Sequence, residues 1–596
     1  MYGPLLMLAL AAGSVSVTHG AYIAESGKAG CVIVVPNAAT PGEKHAAGEL
    51  REHIRQITGV ELRLISERNY SPASGPCISI GRTRLSEKYV TNDQLAAFGD
   101  DGYKVFTRDG NAFFVGGRRR GSMYAVYEYL ESLGVRWWSP DYTVIPKITD
   151  LPMPSKSFGH IPQLWYRDQW WNNGATNEWL ARMRVNGSNG QDHFLPETLG
   201  GSTVTMHSCH SYAALVPPEE HFGKHPEWFA LKPNGQRSAH ELCLTNQGLR
   251  DFVAQRVLAD LRARGGRVDN YWVSQNDGGG DACHCEKCTA EREAHGGRDK
   301  WSANTIAFVS YVADTVKQEF PGTRIKTLAY NYTKEAPRDI KASDNVVVEI
   351  CGNFGPGDDP HTRLVSEWSK VAKNISVYTY GGSNYGYWWP CPNAWEVGMQ
   401  YPWALGSGVK AFYVQGTALG LGSGLVDLKA YLSARMAWDP SRDVRKEIRE
   451  FCEGFYGPGG RYVLEYLEWC PKYIKERDLV MDAHKIWGDS EAWRKWVTSE
   501  SMDHCDGLFQ KAIAATADNP VYLKHVRRAY LEVLWGAIAI NLQPGSDFMN
   551  AELRLVPGAD EADVRAKAKL FGEIMRENGY NKWREDLAFE ADKYPH

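Results

Sequence analysis

Hydrophobic and polar positions change their period twice along the chain. From about Ala21 to Pro146, short β-branched runs alternate with amphipathic stretches. A strand is predicted at Cys31–Val35, a helix through Glu43–Ile57 stopped by Thr58-Gly59, and a second strand at Glu61–Ile65. Gly102–Thr107 and Ala112–Val115 read as a hairpin around Asp109-Gly110, and Gly121–Leu133 as a helix ended by Gly134. Pro152–Ile161, with its Pro, Ser and Gly, reads as a linker.

From Gln163 to about Gly424, short apolar strands alternate with longer helical segments, the pattern of parallel β/α units. Eight strands are predicted, at Leu164–Asp168, Gly190–His193, Glu241–Thr245, Asn270–Gln275, Thr327–Tyr332, Val346–Cys351, Ile375–Tyr380 and Val409–Gln415. Helices are expected between them at Asn177–Arg184, Gly248–Arg264, Ala303–Phe320, His361–Lys373 and Asn393–Leu405. The span is close to the ~250 residues of a (β/α)8 barrel. After Asp427 the period becomes helical throughout, with amphipathic segments at Asp443–Phe455, Arg461–Glu476, Glu491–Ala514, Val521–Ala539 and Glu561–Gly579. The predicted fold class is therefore α/β: a small α/β domain over 21–150, a TIM-like barrel over 160–425 and an α-helical domain over 426–596.

Length agrees, since 596 residues exceed what one core can organise. The first twenty residues hold an apolar stretch, Leu5–Ala12, followed by small and polar residues, and predict an export signal and a periplasmic or extracellular protein. That stretch is too short to span a bilayer, so the mature chain is not expected to insert in a membrane. A net charge of −4, with Arg118-Arg119-Arg120 as the one basic run, offers no footprint for nucleic acid. The 21 Trp and 30 Tyr suit sugar stacking as well as core packing.

In a barrel of this kind chemistry sits at the C-terminal ends of the strands, which singles out two carboxylates. The strand at Asn270–Gln275 ends in Asn276-Asp277, and Val346-Val347-Val348 runs into Glu349. Glycoside cleavage needs a carboxylic acid to protonate the leaving oxygen and a second group to stabilise positive charge or supply a nucleophile. Strands two apart are separated by about 10 Å of sheet, so Asp277 and Glu349 can converge on one sugar. The alternative is structural: Asp277 capping its own turn and Glu349 paired with a neighbouring Arg or Lys. No G-x-S-x-G elbow and no GxxxxGK[ST] phosphate loop is present.

The segment Asp281-Ala282-Cys283-His284-Cys285-Glu286-Lys287-Cys288 resembles part of a zinc ligand set. A tetrahedron built on Cys283, Cys285 and Cys288 needs a fourth group from elsewhere, such as Cys209 or Cys351. A disulfide between two of these cysteines is the preferred expectation for an exported protein, and no metal or other cofactor is assigned.

Longer motifs carry a resemblance. HAAGELREHIRQITG from His45, GGRRRGSMYAVYEYLESLGVRWWSPD from Gly116, HPEWFAL from His225, LCLTN from Leu242, SQNDGGGDACHCEKC from Ser274 and LAYNYT from Leu328 resemble bacterial proteins carrying the domain of unknown function 4838. Some of those are classed as glycoside hydrolase family 163, endo-β-N-acetylglucosaminidases acting on N-glycans. The N-terminal motifs are also similar to the first domain of family 67 α-glucuronidases and family 20 hexosaminidases.

The resemblance implies a retaining hydrolase of an oligosaccharide or glycoprotein glycan, in which the substrate's 2-acetamido oxygen attacks the anomeric carbon. Asp277 is then the acid and Glu349 the orienting or assisting carboxylate, with the reverse assignment open. Acetamido-assisted barrels commonly place two adjacent carboxylates where this chain has Asn276-Asp277, a departure that bears on the mechanism. Arg167, Arg184, His207, His210, Tyr330, Asn331, Tyr380, Trp388 and Gln415 are expected around the acid, each near a predicted strand end or loop rim. An α-glucuronidase or other exo-glycosidase, and a carbohydrate-binding protein without activity, are the alternatives.

Overall fold

The computed structural model describes residues 21–187, 194–278, 282–354, 360–382, 386–417, 419–479, 495–543, 553–584 and 587–589. The expected export signal and the predicted strand Gly190–His193 lie outside them. Two compact units result, one formed by residues 1–135 and 145–161 and the other by 136–144 and 162–596.

In the first unit, a six-stranded mixed sheet carries the helix Pro41–Thr58. That helix begins with a capping box, Thr40 and Glu43 each satisfying the other's backbone N–H, with proline in its first turn, and it stops at Gly59 in the left-handed region. The hairpin turn at Asp109-Gly110 has φ of 50° and 76°, the conformation an Asp-Gly pair favours between two strands. The predicted linker proves to be structured. Phe158–His160 pairs antiparallel with Tyr103–Val105, and Leu151–Pro152 pairs with the first strand of the chain. Its Pro and Gly residues sit at sheet edges, where a missing or exposed N–H is tolerated.

The second unit is built on seven parallel strands: β1 (Tyr166–Trp170), β2 (Thr205–Met206), β3 (Asn270–Trp272), β4 (Arg324–Ala329), β5 (Val346–Cys351), β6 (Asn374–Tyr380) and β7 (Ala411–Gln415). They lie in the order β1-β7-β6-β5-β4-β3-β2, a curled parallel sheet in which the first strand pairs with the last, as in TIM-like folds. The join between β1 and β2 is made by Asn186. Its N–H donates to the Arg167 carbonyl at 3.0 Å, its carbonyl accepts from Thr203 N–H at 2.7 Å, and its side chain bonds the β1 backbone.

The predicted third strand, Glu241–Thr245, is not part of the barrel. Arg237–Leu242 instead forms an antiparallel hairpin with Phe229–Leu231, and Thr205–Met206 takes its barrel place beside β3. A short apolar run without clear alternation does not reveal which sheet it joins.

Helices from Val426 onward pack within the same unit. The helix Val426–Trp438 is buried at every position, and Trp171, just past β1, donates to Ser433 on it at 3.1 Å. Among the described residues no helix is long and apolar enough to cross a membrane.

Candidate active site

Alternate residues of the barrel strands point inward, and their chemistry differs with depth. In the interior, Lys326 of β4 and Glu349 of β5 form an ion pair of 2.8 Å, and Ser376 of β6 donates to the same Glu349 oxygen at 2.6 Å. The ammonium also lies 4.3 Å from the Trp272 ring centroid and 5.2 Å from that of Tyr166, so aromatic faces replace water around it. Glu349 is fully buried, and its Oε1 has no hydrogen-bond partner among the described residues. β5 runs on two residues to Cys351, which places Glu349 within the barrel wall rather than on its rim.

Above this layer lie Cys209, Tyr330, Cys351 and Tyr378, packed on Trp272 and Leu328. Burial pushes the Cys209 thiol up to about 12, reinforced by the Glu349 carboxylate and more weakly by Asp277. Cys209 is thus within electrostatic reach of both predicted carboxylates. The Gln415 side-chain oxygen accepts from the Tyr378 hydroxyl.

Asp277 sits at the mouth with its side chain 68% exposed, held in its turn by accepting from Gly278 N–H at 2.8 Å. The His210 Nε2 is 3.8 Å from its carboxylate, and the His210 ring lies 5.9 Å from that of Tyr330. The Gln275 carbonyl, 3.0 Å from His210 Nδ1, can only accept, so Nδ1 carries the proton and Nε2 faces Asp277. Burial raises the Tyr330 hydroxyl, with Asp277 adding to it, and Asn331 is its hydrogen-bond partner. Burial likewise raises Tyr380, and the fields of Cys351, Tyr330, Cys209 and Asp277 all reach it. His210, Tyr330, Asn331 and Tyr380 therefore share the region around Asp277, while Gln415 is bound to Tyr378.

Four other predicted contacts are placed elsewhere. Arg167 is buried in the wall, donating to the carbonyls of Arg184 and Leu164. Arg184, also buried, adopts φ 60° and donates to the Arg182 carbonyl. His207 turns outward: its Nε2 lies 2.9 Å from the Tyr271 hydroxyl, which itself donates to Asp260 on the helix Gln247–Ala263. Trp388 is fully buried, donating to the Lys582 carbonyl at 3.0 Å and packed on Tyr580 and Phe571.

Three residues with a bearing on the site were not singled out from sequence. Lys326 carried no signal, because a lysine inside a β-rich run reads as a surface position. Glu241, 2% exposed, accepts from Asn276 N–H at 3.0 Å and so fixes the residue next to Asp277. Asp168, which accepts from the Tyr166 hydroxyl at 2.7 Å, closes the first predicted strand and meets the same strand-end criterion as Asp277.

The cysteine segment differs from expectation. All twelve cysteines are unlinked, so the preferred disulfide is not formed. Cys283, Cys285 and Cys288 gather with Cys243, their sulfurs all within 4.8 Å of one another. Cys209 and Cys351, the fourth ligands considered from sequence, lie instead in the barrel interior.

Residues 24–129 match the N-terminal domain of glycosyl hydrolase family 67. Comparison with curated protein sequences gives no match. Among solved structures, a family GH115 4-O-methyl-α-glucuronidase with specificity for decorated arabinogalactans is similar in fold. Its TM-score is 0.58 at 13% identity, over 96% of this chain and 79% of that one. A family 89 glycoside hydrolase from Clostridium perfringens, in complex with PUGNAc, gives 0.47 at 11% identity over 92% and 72%. A GH138 enzyme targeting pectin rhamnogalacturonan II gives 0.38 at 10% over 92% and 73%. Residues 137–468, more than half of the chain, match the domain of unknown function DUF4838, and the protein belongs to that family.

Proposed function

We propose that the protein is an exported glycoside hydrolase, and specifically a retaining β-N-acetylglucosaminidase acting on a glycan with Asp277 as proton donor. One observation carries this: a solvent-reaching carboxylate at the C-terminal mouth of a parallel barrel, with His210 beside it and Tyr330 and Tyr380 in its field. Asp277 protonates the leaving oxygen. His210, its Nδ1 proton committed to the Gln275 carbonyl, turns its Nε2 lone pair toward Asp277, where it can accept a hydrogen bond from the acid and hold it in place. Attack by the substrate's own acetamido oxygen needs no nucleophile from the chain, which is consistent with an isolated acid at position 277. Glu349, bound by Lys326 and Ser376, serves below as one half of a neutral ion pair that holds the barrel interior.

The test is hydrolysis of aryl β-N-acetylglucosaminides, aryl α-glucuronides and complex N-glycans by the wild type and Asp277→Asn, with the product anomer followed by NMR. Release with retained β configuration, and a loss of about 100-fold or more in kcat for the variant with binding preserved, is expected. Inversion would sink the acetamido route, and binding without turnover of any substrate would make the protein a lectin.

An α-glucuronidase is the second reading. It is favoured by the family 67 match of residues 24–129 and by Lys334, a half-buried cation whose field reaches Cys351 and which could meet a uronate. Turnover of the α-glucuronide alone decides for it.

A further inference from the structure

We propose that Cys243, Cys283, Cys285 and Cys288 bind one structural zinc ion, which ties the loop following Asp277 to the Phe229–Leu231/Arg237–Leu242 hairpin. The four residues come from two stretches of chain. Cys243 follows the hairpin's second strand, and the other three enter the helix Glu286–Ala294, with Cys285 as its N-cap. Zinc bound to four thiolates at about 2.3 Å makes a tetrahedron whose sulfur–sulfur edges are about 3.8 Å. The structure has Cys243 and Cys285 sulfurs 3.6 Å apart and Cys243 and Cys288 sulfurs 3.9 Å apart. A disulfide would need a separation of about 2.0 Å, and an iron–sulfur cluster would hold its cysteines further apart than one metal ion does.

The surroundings suit thiolates. Leu231 N–H donates to Cys283 Sγ at 3.3 Å, Cys288 N–H to Cys285 Sγ at 3.5 Å, and the Thr245 hydroxyl lies 3.1 Å from Cys288 Sγ. Such outer contacts orient ligands and spread the charge of a tetrathiolate site. Arg292, buried one turn along the helix and stacked 3.7 Å from the Trp301 ring centroid, donates to the Cys283 carbonyl at 2.8 Å and supplies a compensating positive charge.

Packing points the same way. The buried cluster of this excursion consists of Ala230, Cys243, Cys283 and Cys288 with Leu231 and Cys285 packed against it, so four of its six side chains are thiols. A structural zinc at such a cluster contributes folding free energy directly. Four protein ligands leave no open coordination position, so the ion takes no part in chemistry itself. Its effect is positional: Cys243 lies two residues beyond Glu241, which holds Asn276 N–H, and Cys283 lies six residues beyond Asp277.

The proposal does not depend on the glycosidase reading, and metal content tests it. Protein purified in its full length without chelator is expected to contain one equivalent of zinc by plasma mass spectrometry. A mercurial that titrates thiols should release that zinc in step with four of them. Cobalt exchanged into the site should show the charge-transfer and d–d absorption of tetrahedral tetrathiolate coordination. Cys243→Ser and Cys288→Ser should each lower zinc content at least fivefold, while Cys209→Ser retains it. If the variants do not fold, the release and cobalt measurements on the wild type still decide. Folded wild type with less than a tenth of an equivalent of zinc, an intact mass showing disulfides among these cysteines, or stoichiometric iron would overturn the proposal.

Discussion

Lys326 and Glu349 face each other at 2.8 Å on adjacent strands, each about 1% exposed, so this buried carboxylate is neutralised within the protein. Removing one member of such a pair leaves a charge with neither water nor partner. Lys326→Met is expected to lower unfolding free energy by about 3–5 kcal/mol, measured by urea denaturation followed through tryptophan fluorescence. Combining it with Glu349→Leu should restore much of the loss. A single variant as stable as wild type would mean the pair does not hold the interior.

His210 and Asp277 are expected to act as a unit. His210→Ala should reduce kcat by about 10-fold or more and change the pH profile of kcat/KM, with a modest change in melting temperature, because the ring is partly exposed and its loss frees one hydrogen bond to the Gln275 carbonyl. In Asp277→Asn the further His210→Ala change should cost little, which a double-mutant cycle measures. Additive losses would refute the coupling.

Trp388 separates a structural tryptophan from a sugar-binding one. Its ring is sealed against Tyr580 and Phe571, and its N–H is satisfied by the Lys582 carbonyl. Trp388→Phe should therefore lose about 1 kcal/mol or more of stability and leave KM unchanged. Tyr380→Ala, at the mouth, should raise KM. A KM effect at Trp388 equal to that at Tyr380 would reverse the assignment.

Acid sensitivity is expected from His525, whose ring lies flat on Phe455 with centroids 3.8 Å apart and whose Nδ1 donates to the Phe455 carbonyl at 2.7 Å. Burial lowers its pKa from 6.5 to about 4. Above about 6.5 the imidazole is neutral whether the chain is folded or not. Below that the unfolded chain gains the proton first, so stability falls with pH until about 4 and this contribution then levels off. His525→Phe should flatten that part of a melting-temperature profile between pH 7 and 4, and an unchanged slope would exclude His525 as its source.

Much of the barrel was legible because a strand covered on both faces leaves a continuous apolar signature: Val346–Cys351 has the predicted bounds, and Asn374–Tyr380 differs by one residue. The same signature misled at Glu241–Thr245, where an apolar run belongs to a two-stranded hairpin. Depth was less legible than strand position. Glu349 sits on a correctly placed strand, yet register alone decides whether it reaches the mouth, and β5 continues past it. Nor could spacing join Cys243 to Cys283, since some forty residues separate them and only the fold brings them together.

The clasp at Asn186 makes this cylinder a belt with one narrow buckle. Six strand pairings hold the rest of the circumference, whereas here, among the described residues, Asn186 and the amide of Gly187 span from the Arg167 carbonyl toward the Thr203 amide. Of the bonds among the described residues, this is where a strand pairing gives way to a side-chain amide, so exchange at Asn186, Gly187 and Thr203 reports how firmly the belt is fastened.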